Sequence, residues 1–308
     1  MSTWQLKTPV AFFIFKRPDT TEKVFAQIRR AKPAKLLVIA DGHRPDIVGE
    51  QERCAATRAV IDRVDWDCEV LTKYSEVNLG CKRCVSEGLN WVFSQVEEAI
   101  ILEDDCLPHP SFFQFCEELL VKYRDDERIM NIGGTNLLNE WKSDTQSYFF
   151  SNYFHCWGWA TWRRVWQKYD VEMKLWSELD FQAKVKEVIN SDRQYFNRKK
   201  HLDNAHEGKI DTWDYQFLFL CLAHSGLSIR PAVNLISNIG FTSESTHTVI
   251  PDVRANLPTK AIDFPLQHPT DVIADRQHDY QQYKKVWENT LQKRIERRVR
   301  RLISTVGN

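Results

Sequence analysis

Glu103, Asp104 and Asp105 follow one another directly behind the apolar run Ala99-Ile100-Ile101-Leu102. A continuous apolar run is the signature of a strand buried on both faces, so its polar end belongs at a sheet edge. Three adjacent carboxylates repel one another unless a cation or hydrogen-bond donors offset the charge. Hard divalent ions such as Mg²⁺ or Mn²⁺ take oxygen ligands, and Mg²⁺ is commonly held by one or two carboxylates with substrate phosphates completing the shell. The three acids therefore have two readings: a cation site for phosphate chemistry, or a solvated turn ahead of the helix that Pro110-Ser111-Phe112-Phe113 opens.

Other residues suited to chemistry lie further along. Asp211 and Asp214 are three apart at the start of an apolar stretch ending at Leu220, so on a helix they share a face. Either is a candidate general base for an acceptor hydroxyl, and either is equally a first-turn acid favoured by the helix dipole. Trp157, Trp159, Trp162 and Trp166 are aromatic walls on which a sugar can pack its C–H faces, or ordinary core; Trp159 is the candidate sugar contact. His247 follows a Gly240-Phe-Thr-Ser-Glu-Ser stretch that reads as a mobile loop. Cys81-Lys-Arg-Cys84 has metal or redox spacing, but no second pair or suitable His follows nearby, and one face of a helix explains it.

The elements that must position these residues alternate regularly. Val10 to Phe15 is a buried-strand run, followed by Arg17-Pro18-Asp19-Thr20, which carries turn and N-cap chemistry before a helix whose apolar side is Val24, Phe25 and Ile28. Leu36 to Ala40 is a second strand ending in Asp41-Gly42, with a helix from about Gly49 to Val64. Cys68 to Thr72 is a third, and Asn78-Leu-Gly80 leads into a helix through Phe93. The acid-tipped strand is the fourth. Such alternation predicts a doubly wound, mostly parallel α/β sheet, with ligands bound beyond the carboxyl ends of its strands. Those ends carry Lys16 and Arg17, Asp41, Asn78, and Glu103 to Asp105. No Gly-x-Gly-x-x-Gly follows the first strand and no Gly-x-x-x-x-Gly-Lys-Ser/Thr occurs, which argues against dinucleotide and P-loop sites.

Bulk properties narrow the class. The 308 residues hold 42 basic and 42 acidic side chains, so no global field argues for nucleic acid. The chain opens without an apolar leader and no run approaches the ~20 residues of a membrane span, giving the expectation of a soluble, cytoplasmic protein. Eight scattered cysteines fit reduced thiols. Residues 1–265 read as the main domain and 266–308 as a helical appendage whose end, Lys293 to Ile303, is densely basic, with Leu291, Ile295, Val299 and Leu302 at helical spacing. That helix suits either peripheral contact with the inner face of an anionic membrane or packing on the body with a solvated face.

Several short pieces, in order between about Pro9 and Thr248, carry a family resemblance: Glu103-Asp104-Asp105 with Pro108 and Phe112-Phe113, Asn131 to Asn136, Phe154-His-Cys-Trp-Gly-Trp159, Trp213-Asp214, and Ile229-Arg230-Pro231 with Gly240 and His247. The set resembles the nucleotide-sugar glycosyltransferases of the GT-A fold, in particular the N-acetylglucosaminyltransferase I family and family-2-like bacterial enzymes. The resemblance implies a Rossmann-like GT-A sheet and an inverting, Mn²⁺- or Mg²⁺-assisted transfer from a UDP-sugar, UDP-GlcNAc among the candidates, to a glycan, lipid-linked or protein hydroxyl. It implies Asp105 as metal ligand with His247 completing the shell, Glu103 and Asp104 near ribose and sugar, Arg17 and Asp41 around the uracil, with Asp41 accepting from the base N–H, and Asn78 among the donor-binding residues. Asp214 becomes the base. The family has two acids after Trp whereas Tyr215 stands here, so Asp211 is the alternative.

Two other readings remain from different classes. A sugar-nucleotide nucleotidyltransferase uses a similar sheet, although that class usually carries a Gly-rich basic loop after the first strand and Phe15 to Thr20 is not Gly-rich. A non-catalytic scaffold or nucleic-acid binder would work through the basic tail.

Overall fold

The computed structural model describes residues 6–241 and 254–288. In chain order the elements are β1 Val10–Ile14, α1 Pro18–Ala31, β2 Lys35–Ala40, α2 Glu50–Ala59, β3 Glu69–Tyr74, α3 Gly80–Gln95, β4 Glu98–Glu103, β5 Cys106–Pro108, α4 Ser111–Lys122, β6 Ile129–Gly133, β7 Tyr148–Ser151, β8 Trp159–Trp162, α5 Arg163–Trp166, α6 Leu179–Ile189, α7 Asp192–His206, α8 Asp214–Ala223, β9 Leu227–Pro231, β10 Ile236–Asn238 and α9 Arg276–Gln282.

The apolar runs become strands because both their faces are covered. Every residue of β1 is buried, as are Ala99 to Leu102 of β4. Each such side chain contributes ~1.5–3 kcal/mol by leaving water. Parallel pairing of β1 with β2 and β4, and of β2 with β3, forms one half of an eight-stranded sheet ordered β3-β2-β1-β4-β8-β6-β9-β7. Beyond β4 the sheet turns mixed: β8 runs antiparallel to β4 and β6, β9 parallel to β6, and β7 antiparallel to β9. The fold is thus a Rossmann-like α/β sheet flanked by helices, parallel throughout its first four strands.

Register places the chemistry. Phe13 lies beside Glu103 and Ile14 beside Ala40, so the residues after β1, β2 and β4 emerge at one edge. A small ribbon stands next to it, with β5 antiparallel to β10 and Cys106 opposite Asn238. Helix α8 is buried along almost its whole length, consistent with its apolar sequence, and it packs against α6 and α7. All eight cysteines are free thiols, and Cys81 and Cys84 sit in the first turns of α3.

The described part of the expected C-terminal appendage is built into this body. Ala274 bridges Phe150 on the edge of β7, and Asp279 on α9 accepts from the Ser151 hydroxyl at 2.5 Å and the Asn152 amide at 3.0 Å. Helical structure there covers Arg276–Gln282 and a π-helical turn, Tyr283–Trp287. The basic run Lys293 to Ile303, and with it the membrane expectation, lies outside the described residues. Among the described residues no helix is long and apolar enough to cross a membrane.

Candidate functional site

A cleft of about 660 Å³ opens at the carboxyl ends of β1, β2 and β4. Its lining includes Arg17, Asp41, Asn78 and Glu103 to Asp105 from those strand ends, and Asp211 and Asp214 from across the opening. Residues scattered over two hundred positions meet there because parallel strands deliver all their carboxyl ends to one edge.

At the centre the acids are met by a guanidinium. Arg17 is held by the first turn of α1, where its carbonyl accepts from the Thr21 amide at 3.0 Å and the Thr21 hydroxyl at 2.7 Å. Its Nη2 pairs with Asp104 and, at 3.0 Å, with Asp105. Asp104 is only 3% exposed, and its other oxygen accepts from the Phe15 amide at 3.1 Å. Burial works against the charge on Arg17, yet Asp104 and Asp105 hold its pKa above the ordinary arginine range. Burial likewise raises Asp104, with Arg17 opposing the rise. Glu103 is pushed up to about 8 by burial, then by the negative charges of Asp105 and Asp104.

Asp41 and Asp211 prove to be engaged elsewhere. Asp41 accepts from the amides of Leu79 at 2.8 Å, Gly80 at 3.1 Å and Gly42 at 2.9 Å, and from the Asn78 side chain at 3.0 Å. Asp211 accepts from the amides of Cys81 at 2.9 Å and Lys82 at 3.0 Å. Together they satisfy four successive N–H groups at the start of α3, groups that no intrahelical partner can reach. These four donors occupy the Asp41 carboxylate, on which a hydrogen bond from a base N–H is the sequence expectation. Asn78, expected among the donor-binding residues, donates its amide to Asp41 and to the Gly42 carbonyl at 2.8 Å. Gly80 has φ of +79°, and a Cβ there would crowd Asp211, so glycine is required at this junction.

The far end of the cleft is aromatic. Trp159, the expected sugar contact, is fully buried and faces the core, stacked on Trp213 at 5.5 Å and tilted against Phe217 at 5.0 Å. All four residues of β8 are buried, and it is Trp157, in the loop before it, that lines the cleft. Phe241 meets the Trp157 ring edge-on at 5.6 Å and the Arg254 guanidinium lies 5.7 Å over it. His201 and Tyr215 stack with an interplanar angle of 3°. Asp214 is brought here by the Trp159–Trp213 stack at the head of α8 and accepts a hydrogen bond from the Thr212 hydroxyl. Sequence reasoning singled out neither His201, Tyr215 nor Arg254; no periodicity or motif marks them, since α7, α8 and the chain after residue 253 converge only in three dimensions.

The described residues offer a divalent ion few ligands of their own. No group of three His, Cys, Asp or Glu side chains among them converges as a ligand set. Asp104 is enclosed and satisfied by Arg17 and Phe15, which leaves Asp105 as the expected ligand, itself paired with Arg17. His247 lies outside the described residues.

No protein-family model matches the chain, and no curated protein matches it. Solved structures similar to it include UDP-glucose pyrophosphorylase complexed with UDP-glucose, at 8% identity over 75% of this chain and 93% of that one with a TM-score of 0.38. The apo form of UDP-glucose pyrophosphorylase gives 8% identity, 74% and 93% coverage and a TM-score of 0.36. The 4-diphosphocytidyl-2C-methyl-D-erythritol synthase of Anaerococcus prevotii gives 12%, 71%, 98% and 0.35. The glycosyl transfer expected from the sequence is corrected here: none of these similar structures is a glycosyltransferase. Identities of 8–12% and TM-scores of 0.35–0.38 carry nothing about the chemistry of this chain.

Proposed function

We propose that the cleft binds a nucleotide together with a sugar phosphate and catalyses nucleotidyl transfer between them. The observation that carries this reading is a single cleft with a guanidinium fixed at the sheet edge and an aromatic, carboxylate-bearing wall opposite it. In the reaction, an oxygen of a sugar 1-phosphate attacks the α-phosphorus of a nucleoside triphosphate. A new P–O bond forms, the bond to the bridging oxygen breaks, and pyrophosphate leaves with the electron pair. The nucleophile is already anionic at neutral pH, so no base needs to deprotonate it. What the step requires is positive charge held where negative charge accumulates, and Arg17 is a cation fixed at that edge, shared there with Asp104 and Asp105. Trp157 offers a face for the sugar ring and Asp214 an acceptor for a sugar hydroxyl.

Full-length protein incubated with UTP or CTP and a panel of hexose 1-phosphates tests this by pyrophosphate release. Release that requires both substrates is expected, with Asp214→Asn lowering the rate and weakening the sugar phosphate more than the nucleotide. No release with any pair, alongside sugar transfer from a UDP-sugar to a hydroxyl acceptor, would overturn the reading.

A further inference from the structure

We propose that Arg17 is the resident cation of the acidic tip, standing where a divalent ion would otherwise sit, so that the cleft holds a nucleoside diphosphate group without metal. The inference rests on the nucleotide reading above and adds what charge the site uses. Its basis is the pinning of one side chain from several directions. The backbone of Arg17 is fixed through Thr21, its Nη2 joins Asp104 to Asp105, and Asp104 lies behind it against the Phe15 amide. An ion bridging Asp104 and Asp105 would displace the guanidinium and leave Asp104 a buried carboxylate without its side-chain partner, which is strongly unfavourable. Mg²⁺ also gives up its water reluctantly, and Asp104 is too enclosed to accept a hydrated ion.

The Arg17 side chain is 22% exposed and lines the cleft. Both carboxylate pairs run through Nη2, and a guanidinium carries five N–H donors on three nitrogens. Nη1 faces Gly240, whose amide is held by the Asn238 side chain at 2.9 Å while the Ile239 amide bonds the Asp105 carbonyl at 2.8 Å. A Cβ at Gly240 would overlap both the Asp105 carboxylate and Arg17, so the ribbon closes over the pair only because this residue has no side chain.

The test measures binding of UDP-glucose and of Mn²⁺ to the full chain, the first by calorimetry and the second by electron paramagnetic resonance. UDP-glucose affinity in EDTA is expected within twofold of that in Mg²⁺, with no Mn²⁺ taken up by the parent protein. Arg17→Met should weaken UDP-glucose at least tenfold in EDTA and acquire a Mn²⁺ site, because the freed carboxylates then lack a counter-charge. Mn²⁺ uptake by the parent, abolished by Asp105→Asn, would overturn the assignment, as would a folded Arg17→Met variant that binds no Mn²⁺. If that variant does not fold, the parent measurements decide. Should UDP-glucose fail to bind under every condition while Mn²⁺ binds only to Arg17→Met, the nucleotide reading fails and the place of Arg17 as resident cation stands.

Discussion

At the scale of single residues, the three adjacent acids divide the work unequally. Asp104 and Asp105 face Arg17, whereas Glu103 reaches the cleft from the end of β4 with its proton held up to about 8. A raised carboxyl pKa means the folded state binds a proton that the unfolded state has released, so stability is fully present below the ordinary carboxylate range and is lost as pH rises toward 8. Glu103→Gln mimics the protonated form. It should be more stable than the parent at pH 8.5, on the order of 1–3 kcal/mol, with the advantage shrinking toward pH 5. Denaturant unfolding of both proteins at the two pH values checks this; an equal difference at both would show that the proton on Glu103 is not responsible.

At the scale of elements, the start of α3 takes up two acids expected in the site, Asp41 at the base and Asp211 as the alternative general base. Asp41 and Asp211 come from β2 and from the turn before α8, and between them they take up the N–H groups of Leu79 to Lys82. They also neutralise the positive end of the helix dipole, so that end is not open to a phosphate. Asp211→Ala should therefore cost ~0.5–2 kcal/mol of stability, the usual price of a lost helix cap, while nucleotide affinity changes less than twofold. Unchanged stability together with lost turnover would return Asp211 to the chemistry. The same logic explains why Trp159 is unavailable to a ligand: β8 is enclosed between β4 and β6, and its tryptophan is spent on holding Trp213 and the head of α8.

At the scale of the whole molecule, residues that read as an appendage pack along the β7 edge of the sheet. Asp279 anchors Ser151 and Asn152, Lys285 donates to the Leu137 carbonyl at 2.8 Å, and the Arg198 guanidinium stacks 4.3 Å from the Trp287 ring. Cutting the chain after Pro265 removes these contacts and leaves Ser151 and Asn152 without their buried partner. The truncated protein should lose cooperative unfolding, measured as a broadened or absent thermal transition, whereas a true appendage would come away with the transition intact.

The parallel half of the fold was legible in the sequence because its signals are local: apolar runs of strand length, separated by helices with caps and an amphipathic side, can pair in few ways. The edge that carries Arg17, Asp41, Asn78 and Glu103 to Asp105 followed from the same pattern. Which charges face which did not, because a carboxylate's partner is set by register and loop path across positions such as 17 and 104, or 81 and 211. Tertiary structure decided that Arg17 meets the acids, that Asp41 and Asp211 belong to a helix end, and that Trp157 rather than Trp159 lines the cleft. Composition and periodicity report how strongly a side chain seeks burial; only the packed arrangement determines which donors and acceptors are left to satisfy one another once water is excluded.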